Sequence, residues 1–249
     1  MVRQSSSLSE LLKIMLGEPL SQHGDRELLR DFIENHTEAA FAAILDRHGP
    51  MVLGLCRRQL GDAHLAEDVL QATFLVLARK ARSIRRRESL ASWLYGVATR
   101  LSRQARLAEA ARSKRERQAA SEHGQSSAGD PVWDDLLRVL DEELQRLPER
   151  YRQPLLLCYL EGRTQDEAAK HLGWSLITLR RRLEKGRDLL RTRMTTRGAT
   201  LGAGLFAGFL APSIVSAALK SELRRAVVTA ATNAGQGAAI SATVLALVN

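Results

Sequence analysis

Cysteine is almost missing from this chain, with only Cys56 and Cys158 among 249 residues. Both fall inside apolar helical patterns, and no CxxC pair or Cys/His cluster occurs. A disulfide framework and a zinc site are therefore excluded, and each thiol reads as a small buried hydrophobe. The six histidines are scattered from His23 to His171 without metal-ligand spacing. No nucleophile–base pair or phosphate-cradling glycine loop stands out, so an enzyme is the least favoured class, and no cofactor, metal or catalytic residue is expected. No signal peptide opens the chain. Leu8 to Leu20 is too short and is broken by Glu10, Lys13 and Glu18, which makes the cytoplasm the default location. Acids are outnumbered, 28 against 37 basic residues, for a formal charge of +9 and a pI near 10.2. That balance favours a polyanionic partner, and nucleic acid and an anionic membrane surface both satisfy it.

Aromatics are scarce at 4%, but apolar content reaches 45% and alanine, leucine, arginine and glutamate dominate, so the chain reads as all-α. The most informative stretch is TQDEAAKHLGWSLITLRRRLEKGRDLLRTRM, Thr164 to Met194. Thr164 and Glu167 have the spacing of a capping box. Ala168, Ala169 and Leu172 share one face, and the alanines allow a second helix to cross closely. Gly173 stands where a helix must end in the left-handed region. Trp174 plugs the turn and Ser175 caps the next helix, whose inner face carries Leu179, Leu183 and Leu190. Its outer face carries Arg180, Arg181, Lys185, Arg187 and Arg191. This pattern is a helix-turn-helix offering cations to a major groove; the plainer alternative is an antiparallel helical hairpin with a solvated basic face.

Taken in order, residues 1–24 read as an amphipathic lead-in. Asp25 is placed to cap a helix bearing Leu28, Leu29, Phe32 and Ile33. A second helix, Glu38 to His48, is expected to break at Gly49-Pro50, with Pro50 starting a third. A fourth spans Ala63 to Ala81, its exposed face opening on Glu67 and Asp68, which suit a helix N-terminus. A basic loop, Arg82 to Ser89, precedes a long helix from about Ser89 to Gln118. That helix places Trp93 and Tyr95 near Arg100, Arg103 and Arg106, the mixture that unstacked bases and phosphates require, although Trp93 reads more simply as core. Ser121 to Gly129 has no large apolar residue and is the best linker. Beyond it, a helix starts at Asp130-Pro131, another runs from Pro148 to Glu161, and Gly162 ends it. The division is 1–24 lead-in, 25–118 first domain, 119–130 linker, 131–197 second domain and 198–249 an apolar, Gly/Ala-rich extension.

In this arrangement the chain resembles the sigma-70 family of bacterial RNA polymerase sigma factors, extracytoplasmic-function (ECF) type. DAHLAEDVLQATFLVLARKARSI with SLASWLYGVATRL is similar to region two of that family, and LPERYRQPLLLCYLEGRTQDEAAKHLGWSLITLRRRLEKGRDLL to region four. FLVLARK, LCYLEG and LGWSLITL are similar in style to planctomycete groups. The resemblance implies two small helical domains joined by a flexible linker, with core RNA polymerase and promoter DNA as partners and an anti-sigma factor as a further one. It places Glu67, Asp68, Gln71 and Phe74 on the polymerase clamp helices; simple helix capping is the other reading of Asp68. It places the loop from Ser83 to Ser89, chiefly Ile84, Arg85, Arg86 and Arg87, around a base flipped from the minus-ten element, a step requiring a few kcal/mol of unstacking. Trp93, Arg100 and Arg103 would lie along the same strand. Ile84 stands where an aromatic is frequent in the family, and the three arginines where small or acidic residues are common. At the minus-35 element, Ser175, Thr178, Arg180, Arg181 and Lys185 would face the major groove, with Thr164, Gln165 and Arg182 near phosphates. Ile177 stands where glycine is common in the family.

Two other readings remain open at the level of sequence: a helix-turn-helix regulator that never touches core polymerase, and a membrane-associated signalling protein. The second rests on Gly198 to Leu219, which has no charge and is long enough to span a bilayer but is only mildly hydrophobic. Its alternative is a helical hairpin packed on region four or on a partner. Many proteins similar to this one carry C-terminal extensions with regulatory roles.

Overall fold

The computed structural model describes residues 20, 23–84, 90–119, 131–197, 219–232, 244 and 246–247, with backbone alone for 116–119 and 131–135. Most of the lead-in, most of the linker and residues 198–218 lie outside them. All secondary structure among the described residues is helical. The α-helices are α1 (Asp25–Asn35), α2 (Glu38–Leu60), α3 (Ala63–Lys80), α4 (Ala91–Ala119), α5 (Pro131–Arg146), α6 (Glu149–Leu155), α7 (Gln165–Leu172), α8 (Leu176–Thr196) and α9 (Ser221–Thr232). A 3-10 turn, Ala81–Ser83, follows α3, and α6 runs on into a π-helical turn, Leu156–Leu160.

Helices α2, α3 and α4 pack on one another, and α1 lies along α2. Phe41 joins them: its ring is 4.8 Å from Phe32 and meets Phe74 edge-on at 6.2 Å. In the second half, α6, α5 and α7 all pack on α8, burying Leu140, Leu144, Leu155, Leu179, Leu183 and Leu190. The two halves also touch. Helix α5 rests on α2 and α4, α6 rests on α4, and one apolar core runs through both. A fully buried carboxylate lies at that contact. Asp141 accepts from the Tyr95 hydroxyl at 2.6 Å and from Arg58 Nη2 at 3.0 Å. Nearby, Arg152 donates to Ser92 Oγ at 2.8 Å and to the Gln145 carbonyl at 2.6 Å.

Two expectations are corrected. Pro50 does not divide a helix; α2 runs straight through it for 23 residues. The missing N–H and ring clash cost about 3 kcal/mol. Ile44, Leu45, Met51, Val52, Leu53 and Leu55 flank it and are all buried, each contributing about 1.5–3 kcal/mol, so burial on both sides keeps the helix whole. Asp25 is not a cap but the first residue of α1, completely buried. The helical hairpin considered for Gly198 to Leu219 lies, but for Leu219, outside the described residues; the helix that follows, α9, lies on α2 and α3. Residues 198–218, the stretch considered for a membrane, are outside the described residues; among the described ones, no helix is long and apolar enough to cross a bilayer.

Candidate nucleic-acid interface

The helix-turn-helix forms as its residues dictate. The Thr164 N–H donates to Glu167 Oε2 at 2.9 Å, while the Glu167 N–H donates to Thr164 Oγ1 at 3.3 Å, so two orphan donors of α7 are satisfied at once. Gly173 ends α7 at φ +64°, and the Trp174 N–H reaches back to the Ala169 carbonyl at 2.9 Å. Ser175 then caps α8, its Oγ accepting from the Thr178 N–H at 3.2 Å. Ala168, Ala169, Leu179 and Leu183 are buried between the two helices.

On the outside, Arg180, Arg181 and Lys185 are exposed, as are Thr164, Gln165 and Ser175, with Thr178 half-buried. Arg180 Nε donates to Gln165 Oε1 at 3.0 Å, a strut from α8 back to α7. Arg182 stacks its guanidinium over the half-buried Trp174 ring, 4.0 Å from the centroid. That cation–π contact holds the turn against α8, so Arg182 braces the motif from within. Ile177 is 81% exposed at the start of α8, one turn before Arg181, an apolar tip beside a guanidinium where base edges would be met.

The other sequence-chosen residues divide. Arg100 and Arg103 are exposed on α4, and Trp93 is half-buried against the core. Arg85, Arg86 and Arg87 lie outside the described residues. Ile84 is corrected: it is 5% exposed and belongs to the core, because the 3-10 turn folds it inward, so it offers no open wall to a base. Phe74 is corrected as well. It is wholly buried, with its ring edge-on to Phe41, and cannot anchor an outside partner. Glu67, Asp68 and Gln71 are partly exposed on α3.

Sequence reading missed a buried charged cluster joining the helix-turn-helix half to the first half. His48, in the middle of α2, meets Asp25 Oδ2 at 3.0 Å through Nε2 and Glu161 Oε1 at 2.5 Å through Nδ1. Arg47 and the Leu90 N–H also donate to Asp25, at 2.6 and 2.8 Å. Arg163 pairs with Glu161 at 3.0 Å, and His171 Nε2 of α7 sits 3.5 Å from Asp25. Burial alone would strip the His48 proton, but the Asp25 and Glu161 carboxylates outweigh it and raise its pKa to about 9. Burial likewise opposes the charge on Asp25 and Glu161, and His48 overrides it, holding both below the usual carboxylate range. No local signal could reveal this cluster, since His48 and Glu161 are 113 residues apart.

The cluster gives stability a pH signature. His48 binds its proton more tightly folded than unfolded, so its contribution is complete below about pH 6.5 and fades as pH rises through about 9. The two carboxylates act oppositely and lose their contribution only at acid pH. Chemical denaturation between pH 6.5 and 9.5 should show a fall on the order of 3 kcal/mol. The slope should flatten in His48→Gln; an unchanged slope in that variant would assign the effect elsewhere.

Comparison with known proteins follows the same two halves. The family model for sigma-70 region 2 matches residues 44–112, and that for sigma-70 region 4 matches residues 137–190. The chain is 25% identical over 178 residues to the ECF RNA polymerase sigma factor SigW of Bacillus subtilis, covering 65% of this chain and 92% of that protein. It is 31% identical over 156 residues to the RNA polymerase sigma factor CarQ of Myxococcus xanthus, covering 61% and 87%. A solved structure of the sigma factor RpoE in complex with the anti-sigma factor NepR from Bartonella quintana matches at 19% identity, covering 59% of this chain and 91% of that one, with a TM-score of 0.27.

Proposed function

The chain belongs to the sigma-70 family of RNA polymerase sigma factors, ECF type, and from that premise we propose how its surfaces divide the work. It directs promoter-specific transcription initiation, binding core RNA polymerase and promoter DNA. We assign the minus-35 contact to α8, with Ser175, Thr178, Arg181 and Lys185 toward the major groove and Thr164 and Gln165 toward phosphates. Arg180 reaches the groove from its strut on Gln165. We assign the minus-ten strand to the loop carrying Arg85, Arg86 and Arg87 together with Arg100 and Arg103, and the polymerase to Glu67, Asp68 and Gln71. An anti-sigma factor is a natural further partner for a protein of this family. We place the protein in the cytoplasm, where polymerase and promoters meet, and assign it no covalent chemistry.

The observation that carries the minus-35 assignment is the exposed row of Arg181 and Lys185 on a doubly capped helix-turn-helix. Purified protein added to core polymerase should give initiation at a cognate promoter and nowhere else. Failure to comigrate with core on gel filtration would end the reading. Arginine pairs both guanine acceptors, so Arg181→Ala should relax base choice at one position by about 1–3 kcal/mol. Arg182→Ala, which loosens the turn under Trp174, should weaken binding to all sequences alike. Equal losses on every sequence for both variants would show that Arg181 reads no base.

A further inference from the structure

The C-terminal helix α9 lies on α2 and α3 and is held there at both polar and apolar contacts. Lys220, just before α9, reaches Glu67 Oε1 on α3 at 3.2 Å. One turn on, Arg224 grips Asp46 on α2 with both arms of its guanidinium, Nε to Oδ1 at 2.6 Å and Nη2 to Oδ2 at 2.8 Å, a planar, paired geometry that fixes orientation as well as charge. Beyond these polar clasps the contact is apolar. Val227, Val228, Ala230 and Ala231 are buried. Leu219 sits over Gly49, where a Cβ would run into its side chain, so the glycine of the Gly49-Pro50 pair provides a seat for the tail. The opposite face of α9, with Glu222, Arg225 and Thr229, is exposed.

We propose that α9 with Lys220 is an intrachain competitor for the polymerase-docking face of α3, held there by Asp46 on the neighbouring α2, which lies outside the assigned docking residues. This rests on the reading that Glu67 meets the polymerase. The surface presents carboxylates around a small apolar strip, and α9 answers it with two cations and small side chains. Lys220 already neutralises Glu67, so a polymerase cation gains less from that carboxylate while α9 is docked. The polar clasps are open to solvent, with Lys220 68% and Arg224 42% exposed, so charge reversal there can loosen the helix without disturbing the buried core beneath it. Docking of α9 therefore raises the apparent Kd for polymerase by the inverse of the unmasked fraction, and whatever draws the tail away activates the factor.

The test uses the full-length chain titrated against core polymerase. Arg224→Asp and Asp46→Arg should each tighten binding by about three- to tenfold, as expected if 10–30% of wild-type chains are unmasked (roughly, from the same relation). The swapped pair, Asp46→Arg with Arg224→Asp, should return to the weaker wild-type affinity, which a simple folding defect would not do. Hydrogen exchange at residues 221–232 should rise in the single variants and fall again in the swap. Release of α9 without tighter binding, or a swap that fails to restore the wild-type value, overturns the proposal. Glu67→Lys separates this from the underlying reading: unimpaired polymerase binding there would remove Glu67 from the docking face altogether, and the competition with it.

Discussion

Asp25→Ala is expected to be the most damaging single substitution in the chain, lowering stability by about 3–5 kcal/mol and the melting temperature by roughly 6–20 °C. The Asp25 carboxylate is fully buried and accepts from Arg47, from the Leu90 N–H and from His48. Removing it leaves a buried imidazolium with one counter-ion instead of two and a buried backbone N–H with none. It also frees the start of α4 from the start of α1. The Coulomb energy of a buried pair is largely offset by desolvation, but breaking one by deleting a partner is costly, because the remaining charge stays in the interior. Asp25→Asn should fall between, since it keeps an acceptor for Leu90 but no charge for His48. Calorimetry on the three proteins settles it. A loss under 1 kcal/mol for the alanine variant would mean that the cluster is solvated in solution.

The same cluster matters for how the protein works, because it ties the two halves together. Elements at minus 10 and minus 35 lie some 25 base pairs apart, about 85 Å of duplex at 3.4 Å per pair. A packed chain of this length is about 45 Å across. With α5 and α6 resting on α2 and α4, and His48 bonded to Glu161, the assignment proposed above for the two elements would require the contacts at Asp141 and at His48 to part on loading, and substitutions there would then bear on activation as well as on folding.

How much of this was legible beforehand depends on the range of the interaction. The capping box at Thr164 and Glu167, the left-handed Gly173 and the Ser175 cap are local, spanning three residues or fewer, and the sequence states them directly. The starts of α3 at Ala63 and of α5 at Pro131 were readable for the same reason. Pro50 misled because its local penalty is smaller than the burial on either side, which only the assembled helices reveal. Phe74 and Ile84 were chosen for function by alignment of motifs, and packing claimed both for the core. The Asp25–His48–Glu161 cluster and the Arg224–Asp46 clasp join residues over a hundred positions apart, except for the Asp25–His48 leg of 23. No spacing rule reaches that far, and a lone histidine in an apolar helix gives no hint of two carboxylates waiting for it.

The other large effect is expected at the polymerase contact. Reversing Glu67→Lys together with Asp68→Lys should weaken core binding by about 100-fold or more, since like charges brought together at an interface cost several kcal/mol. Transcription from a cognate promoter should disappear with it. The variant is informative because two effects of opposite sign meet in it. Lys220 loses its partner on Glu67, so the grip of α9 loosens, and that change alone favours polymerase. A net loss therefore cannot come from the tail and must come from the face itself. DNA binding provides the control: Arg181 and Lys185 lie on α8 in the other half of the chain, so isolated minus-35 duplex should bind the double variant as it binds the wild type. If transcription vanished together with duplex binding, misfolding would be the explanation; if both survived, Glu67 and Asp68 would have no part in docking, and since Asp62 caps α3 they would not be serving as its cap either.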